Sequence, residues 1–298
     1  MPIAAFALLL TASLAQPAEP VGEPKPIVVQ GQRDRDRQIR DFIRELTPAP
    51  SNGQLGRFEL KVCPAVVGLS ARQNAHIAAR MRRVAQAAGL PLAKPGCDAN
   101  VILIVTNDKA ELIRRLAKER ADYFPSAHNS YDFGALKDPA RPVAAWQIKD
   151  IRGADGKDLQ QDGSGTMAGV ANAYVRKSIE AGSRIRPATR IHFLASIVVV
   201  QADALPGLTT TQLADYAAMR AFVRTDPSKL GAAAGNSILS AIDAPMGAPV
   251  PLTLTAWDLG FLKAYYATGL NSYARSQRTE MGGLMAHELD DGDSEKGQ

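Results

Sequence analysis

One stretch in the second half of the chain carries the polar side chains with the best spacing for chemistry. On a helical wheel of about 100° per residue they share an arc of roughly 140°, and they are Gln212, Asp215, Tyr216 and Arg220. Most other residues of this stretch are apolar, which is typical of a buried helix. Because an unpaired buried polar group costs about 1–3 kcal/mol, the stripe either lines a cleft or forms an internal network. We favour the network, which is the commoner arrangement.

The histidines and serines match no known catalytic motif. The chain has four histidines: His76, His128, His192 and His287. A zincin helix requires H-E-x-x-H, and the string that starts at His287 has Asp291 where the second histidine belongs. His192 and Ser196 are predicted to point to the same face of one strand, about 13 Å apart and too far to touch. We therefore assign no catalytic residue, no metal ligand and no cofactor.

The first residues have the pattern of a secretory signal peptide. Met1–Ala15 is apolar and ends in the small-x-small string Ser13-Leu14-Ala15, and it is too short to span a bilayer as a permanent helix. Lys and Arg are missing after Met1, which leaves open a wrongly assigned start or an anchor that is never cut. No later apolar run reaches about 18 residues, so we expect no transmembrane segment. The predicted location is periplasmic or secreted.

The two cysteines, Cys63 and Cys97, are predicted to form a disulfide. An exported protein matures in an oxidising compartment, where an even number of cysteines favours a disulfide. Closing this loop would stabilise the fold by about 3–4 kcal/mol on the chain-entropy model. The alternative is two buried free thiols. Neither cysteine has the spacing of a redox motif or a zinc site.

The overall composition is that of an ordinary globular protein. Apolar residues make up 46% and charged residues 22% of the 298 residues, and the formal net charge is +5. Basic residues are scattered over several predicted helices with acids among them, which indicates a solvated surface. We therefore expect no nucleic-acid partner, and nucleic-acid binding is the minor alternative.

The elements that position the polar stripe form an α/β pattern. Ile191–Val200 lacks polar alternation and predicts a strand covered on both faces. Thr209 and Gln212 have the spacing of a capping box, so the helix of the stripe is predicted to begin there. A strand at Arg57–Val62, a helix opened by Ser70 and a strand at Val101–Thr106 predict a strand–helix–strand unit. The cysteines would then lie just after its first strand and just before its second, at what we take to be one end of the unit.

The remaining elements complete a single predicted domain over residues 34–289. Pro142–Ile151 alternates and indicates a half-exposed strand near a sheet edge. Four further helices are predicted, at Asp34–Leu46, after Asp108, at Thr255–Thr268 and at Ser272–Leu289. Residues 153–169, rich in Gly, Asp and Gln, predict a mobile loop, and the acidic tail 290–298 is predicted to be frayed.

Residues 16–33 are predicted to be a disordered spacer between the leader and the domain. Its end, Ile27–Arg33, reads IVVQGQR and resembles the short box that outer-membrane receptors present to the TonB energising protein. Such receptors also carry a long β-barrel, for which this chain has no room. We therefore interpret Ile27–Arg33 as a short edge strand.

Four strings of the sequence are distinctive: CPAVVGL at Cys63–Leu69, GCDAN at Gly96–Asn100, SRI at Ser183–Ile185 and QLADYAAMR at Gln212–Arg220. In these strings the chain resembles an uncharacterised family of secreted proteins from sphingomonad-like alphaproteobacteria. The resemblance implies export and a Gram-negative envelope, but no activity. The chain is more distantly similar to degenerate metallopeptidase-like domains of unknown function. That similarity implies a lost metal site, because Gln212 and Tyr216 stand at the i, i+4 positions where His would be required.

Together these patterns predict an α/β fold, with α+β as the alternative. We expect a mixed sheet with a strand–helix–strand unit, helices on its faces and a C-terminal helical pair. The predicted function is non-catalytic: an exported envelope protein that binds an unknown envelope protein or ligand. The alternative is a hydrolase, with or without a metal, that uses the helix of Gln212–Arg220.

Overall fold

The computed structural model describes most of the chain between Ile27 and Lys296. The described residues are 27–50, 53–124, 134–157, 159–161, 176–177, 182–243 and 249–296. The predicted leader, most of the loop predicted at residues 153–169, and His128 lie outside the described residues.

A mixed five-stranded sheet forms the centre of the fold, as predicted. The longest strand, β7, pairs in parallel with β1 and β3 and in antiparallel with β4, and β2 extends the sheet beyond β3. A separate two-stranded ladder joins β5 and β6. The strands are β1 Arg57–Phe58, β2 Pro64–Val67, β3 Val101–Thr106, β4 Val143–Gly153, β5 Gln160–Gln161, β6 Arg176–Lys177 and β7 Thr189–Gln201.

Helices cover both faces of this sheet, which confirms the α/β fold class. The α-helices are α1 Ile27–Leu46, α2 Ala71–Ala87, α3 Lys109–Glu119, α4 Thr210–Phe222, α5 Ser240–Asp243, α6 Ala256–Ala267 and α7 Ala274–Lys296. Short 3-10 turns lie at Ala121–Tyr123, Ala202–Ala204, Pro227–Lys229 and Ala232–Asn236. The predicted C-terminal helical pair is present as α6 and α7, which pack against each other.

The strand predicted at the centre of the sheet is buried on both faces. Val198 and Val200 belong to the large core beneath α1, α2, α4, α6 and α7. Ile197 and Val199 belong to a smaller core that also contains Ile113 of α3. This division explains why the sequence of β7 shows no polar alternation in this half of the strand.

The Cys63–Cys97 disulfide is present, but the geometric reason for predicting it was wrong. Only Arg57–Phe58 of the strand predicted at Arg57–Val62 is a strand, and the first strand of the unit is β2. Cys63 therefore precedes β2, as Cys97 precedes β3, and parallel strands begin at the same end of a sheet. The side chain of Asn100 strengthens this end, since it accepts from the Cys63 N–H and donates to the Lys61 carbonyl.

At both ends of the domain the secondary structure differs from the prediction. Ile27–Arg33 begins helix α1 and forms neither an edge strand nor the end of a spacer. The sequence contains no proline between Ile27 and Leu46 to stop the helix. The tail is helical through Lys296. An ion pair of 2.6 Å between Arg35 and Asp290 joins α1 to α7 at this point.

Within the described residues, no helix combines the length and the apolar character needed to cross a membrane.

Candidate functional site

Asp215 on α4 is held in a closed hydrogen-bond network. Its carboxylate is fully buried and accepts from Arg80 Nε at 2.7 Å and Arg80 Nη2 at 3.0 Å. Two further donors are Thr253 Oγ1 and the Leu254 N–H, each at 2.7 Å. A two-point contact with a guanidinium is among the strongest side-chain pairings. The network ties α4 to α2 and to the segment that precedes α6.

Gln212 and Tyr216 also face the interior. The Gln212 side-chain carbonyl accepts from the Thr209 N–H at 3.0 Å, completing the predicted capping box, and its amide donates to the Pro251 carbonyl at 2.9 Å. Tyr216 is 1% exposed and lies within the large core. These contacts are those of an internal network, so this part of the stripe positions α4 and does not line a cleft.

Arg220 differs from the other three residues of the stripe because it lines an open cleft. It lies in the last turn of α4 and is half-buried. Among the described residues, its buried Nε–H has no hydrogen-bond acceptor. The structure therefore does not bring the four predicted side chains together into one site.

The cleft next to Arg220 has a volume of about 500 Å³ and a strongly basic lining. It lies between the edge strand β4 and the segment that follows α4. Its lining contains one acidic residue, Asp226, and five basic residues: Arg141, Lys149, Arg220, Arg224 and Lys229. The Asp226 carboxylate also accepts hydrogen bonds from the Ser228 N–H and hydroxyl. The lining thus carries a clear excess of positive charge.

A buried hydroxyl in the same cleft also lacks a partner. Thr225 is 8% exposed and lines the cleft, and its Oγ1 makes no hydrogen bond among the described residues. An unpaired buried polar group carries a desolvation cost, and a bound ligand can remove that cost. The hydroxyl of Thr225 is thus an indication of a bound ligand that does not depend on the positive charge of the lining.

Side chains from the sheet and from α3 fix the walls of the cleft. The Gln147 amide of β4 donates to the Arg220 carbonyl at 3.0 Å, which satisfies one of the free carbonyls at the end of α4. After Phe222 the backbone becomes extended at Val223 and leads into the cleft lining. The carbonyl of Leu136, another lining residue, accepts a hydrogen bond from the buried Lys109 at 2.8 Å, and the Asp138 carbonyl accepts one from the same lysine at 2.9 Å. Burial lowers the pKa of this lysine.

The arrangement is suited to anion binding. Guanidinium and ammonium groups bind carboxylates and phosphates through charge-assisted hydrogen bonds. Among the described residues, no group of three or more His, Cys, Asp or Glu side chains could hold a metal ion.

The structure corrects the predicted geometry of His192 and Ser196. A β-bulge in β7 lies where the pairing shifts from Ile148/Ala195 to Lys149/Phe193. Phe193 therefore lies on the same face of the sheet as Ser196 and Val198. The neighbouring His192 lies on the other face. Both side chains are fully buried, and neither has a hydrogen-bond partner among the described residues. Burial is the main cause that lowers the pKa of His192, followed by the charge of Arg152.

The two other described histidines lie on helices at the surface. His76 is exposed on α2, and His287 pairs with Asp291 at 2.9 Å on α7. The Asp291 that interrupts the zincin string is therefore a partner of the histidine within the same helix.

Sequence reasoning found Arg220 but missed the rest of the cleft. The missed residues lie just before or on β4, beyond the end of α4 and in a turn: Arg141, Lys149, Arg224, Thr225 and Lys229. Their only sequence signal is the spacing of four residues between Arg220 and Arg224. From the sequence, the scattered basic residues are interpreted as solvated surface. Only the tertiary fold brings five of them to one place: Arg141, Lys149, Arg220, Arg224 and Lys229.

Comparison with known proteins gives no match among family models, curated proteins or solved structures. The resemblance to a secreted alphaproteobacterial family therefore stays a prediction, and the geometry of the cleft is the basis for a function.

Proposed function

We propose that this protein is an exported envelope protein that binds an anionic ligand or partner in the basic cleft and does not catalyse a reaction. The observation that carries the proposal is the lining itself. It sets five cationic side chains, of which Arg141 also pairs with Asp138 outside the lining, against one carboxylate that already caps a turn. It also contains the buried hydroxyl of Thr225, which has no hydrogen-bond partner among the described residues. Such a lining favours a ligand that brings both negative charge and hydrogen-bonding oxygens.

Two observations support export. Disulfides form and persist in oxidising compartments such as the periplasm, and the chain has the Cys63–Cys97 disulfide. The sequence of Met1–Ala15 has the pattern of a secretory leader. Together they favour a periplasmic or secreted protein.

The contacts of α4 favour binding over the hydrolase alternative. A hydrolase built on this helix would need Asp215 as a base or a metal ligand. The carboxylate of Asp215 already accepts four hydrogen bonds and is buried. A reactive group must be accessible to its substrate, so the polar stripe of α4 serves better as a scaffold for the cleft than as a catalytic site.

Binding of two simple anions to the purified mature protein tests this proposal. Tripolyphosphate supplies compact charge and hexa-aspartate supplies spaced carboxylates. We expect both to bind in low-salt buffer, measured by isothermal titration calorimetry. The double variant Arg220→Ala/Lys229→Ala should bind at least about tenfold more weakly, which corresponds to about 1.4 kcal/mol.

A matched double variant separates the cleft from the net charge of the protein. Arg72→Ala/Arg83→Ala removes the same charge from exposed positions on α2, outside the cleft lining. It should change the affinity by less than about twofold, because these two arginines lie outside the cleft lining and Coulomb energy falls with distance. If neither anion binds, or if both double variants weaken binding equally, the proposal is wrong.

A further inference from the structure

The outer edge of β4 presents backbone groups to the cleft. The Gln201 N–H donates to the Pro142 carbonyl at 2.9 Å, so Pro142 and Gln201 form a hydrogen-bonded pair. In an antiparallel ladder, hydrogen-bonded and non-hydrogen-bonded pairs alternate. Ala144 and Trp146 therefore bond to β7, whereas the N–H and C=O groups of every second residue point away from it: Val143, Ala145 and Gln147.

These three outward residues all line the cleft. Among the described strands, β4 pairs only with β7. No hydrogen bond between described residues uses the outward backbone groups of Val143, Ala145 or Gln147. A row of unpaired N–H and C=O groups on an edge strand can pair with another chain in extended conformation.

We propose that the partner is an extended acidic peptide segment of another protein, which adds as a strand to Val143–Gln147. This inference depends on the proposed anion-binding function and names its ligand. Cations stand at both ends of the edge, at Arg141 and Lys149, and along its side, at Arg220, Arg224 and Lys229. From Arg141 to Lys149 an extended chain covers about 26 Å, enough for a segment of about seven residues.

Charge and hydrogen bonding together select this occupant over the others. A compact anion can pair with the cations, but it cannot match the alternating donors and acceptors of the three outward residues. A second copy of this chain, paired edge to edge, would bring two basic linings together, and like charges oppose such pairing. An acidic peptide supplies carboxylates for the cations and amide groups for the edge.

Two peptides of identical charge test the contribution of the backbone. The first is the blocked heptapeptide Glu-Val-Glu-Val-Glu-Val-Glu, and the second has the same sequence with every backbone amide N-methylated. Both keep the carboxylates, but only the first can donate backbone hydrogen bonds. We expect the N-methylated peptide to bind the mature protein at least about tenfold more weakly, measured by calorimetry.

A substitution in β4 tests the same hydrogen bonds from the protein side. Ala145→Pro removes an N–H that β7 does not use, which an edge strand tolerates, and it should weaken binding of the unmethylated peptide about tenfold. Ala145→Ser keeps the N–H and should therefore bind this peptide about tenfold more tightly than Ala145→Pro does. Tripolyphosphate should bind both variants equally. If circular dichroism shows that Ala145→Pro does not fold, the affinities of the two peptides for the unaltered protein test strand addition.

The outcomes separate the two proposals. If the N-methylated peptide binds within about twofold of the parent, strand addition is wrong and the anion-binding function stands. If no acidic peptide and no tripolyphosphate binds, the anion-binding function is wrong, and strand addition falls with it.

Discussion

The body of α4 and its last turn hold their polar side chains in opposite ways. Asp215 is fully buried and accepts four hydrogen bonds from Arg80, Thr253 and Leu254. Arg220, five residues later, faces an open cleft with its Nε–H unpaired among the described residues. Both side chains lie on one helix, but Asp215 is hydrogen-bonded to internal partners, whereas Arg220 faces solvent and other cationic side chains.

This difference separates scaffold from candidate site. A buried charge is tolerated when it is paired and hydrogen-bonded, so the Asp215 network is explained by the fold alone. The cations of the cleft share its lining with a single acid, Asp226. Arg141 also pairs with Asp138 at 3.9 Å, whereas the Nε–H of Arg220 has no acceptor among the described residues. Substitutions in the Asp215 network should therefore change stability, and substitutions in the cleft should change binding.

The largest expected effect is on the Asp215 side of the comparison. Asp215→Ala leaves Arg80 and two other donors without their acceptor, and the free energy of unfolding should fall by about 3–5 kcal/mol. Urea denaturation monitored by circular dichroism measures the change. Arg80→Ala should cost a similar amount, about 3–5 kcal/mol, because it leaves the fully buried carboxylate of Asp215 without its counter-charge. A loss below about 1 kcal/mol for Asp215→Ala would contradict the scaffold role.

The disulfide should contribute to stability without affecting the cleft. It joins the amino ends of β2 and β3, and neither cysteine lines the cleft. Cys63→Ser/Cys97→Ser should lower the free energy of unfolding by about 3–4 kcal/mol on the chain-entropy model, with unchanged affinity for hexa-aspartate. A thiol assay on denatured, unreduced protein should find no free thiol, and two free thiols would refute the bond.

Arg220→Ala should weaken binding with little effect on stability, which is the reverse of the pattern expected for the disulfide variant. The side chain is half-buried with no Nε–H acceptor among the described residues, so the free energy of unfolding should change by less than about 1 kcal/mol. The affinity for hexa-aspartate should fall about fivefold to tenfold, which corresponds to about 1–1.4 kcal/mol. Arg83→Ala, on the exposed face of α2, is the control and should change neither the free energy of unfolding nor the affinity for hexa-aspartate. Equal losses of stability in Arg220→Ala and Asp215→Ala would remove the contrast between the two parts of α4.

His192 gives a third case, a buried titratable group without a partner among the described residues, and its effect should be the smallest. Its pKa is lowered from the ordinary value of 6.5 by burial and by Arg152. Below that ordinary value the unfolded chain binds the proton and the folded chain resists it. Stability contributed by neutral His192 is therefore present above about pH 6.5 and is lost as the pH falls towards the folded pKa.

Replacement of this histidine should remove that part of the acid sensitivity. His192→Leu should lose less stability between about pH 7.5 and pH 5 than the unaltered protein, as measured by urea denaturation. The control is His76→Gln, which removes an exposed histidine. An identical pH dependence in His192→Leu and the unaltered protein would show that His192 does not contribute.

Local signals predicted the helices that build this contrast. The capping boxes at Ser70 and Thr209 predicted the starts of α2 and α4, and both are formed. Such signals work because they satisfy free backbone N–H groups within a few residues of sequence. The apolar run of β7 predicted burial for the same reason, since burial on both faces leaves no polar alternation.

The cleft could not be predicted because its parts meet only through sheet register. Lys149 and Arg220 are far apart in sequence, and they line one cleft because the Gln147 side chain of β4 reaches the end of α4. The bulge near Leu194 could not be predicted either, because it too is a feature of sheet register. It shifts the pairing by one residue and so reverses the face of His192 relative to Ser196, and a residue count along the strand does not reveal such a shift.

The most direct test of the central claim is an NMR titration of the isotope-labelled mature protein with hexa-aspartate. The account predicts that backbone amide shifts change along Val143–Lys149 and from Arg220 to Lys229, and that the amides of Gln212 and Asp215 stay unperturbed. That result would place the ligand in the cleft and identify the Asp215 network as scaffold. Shift changes spread over the exposed arginines of α2, with none at β4, would contradict the account.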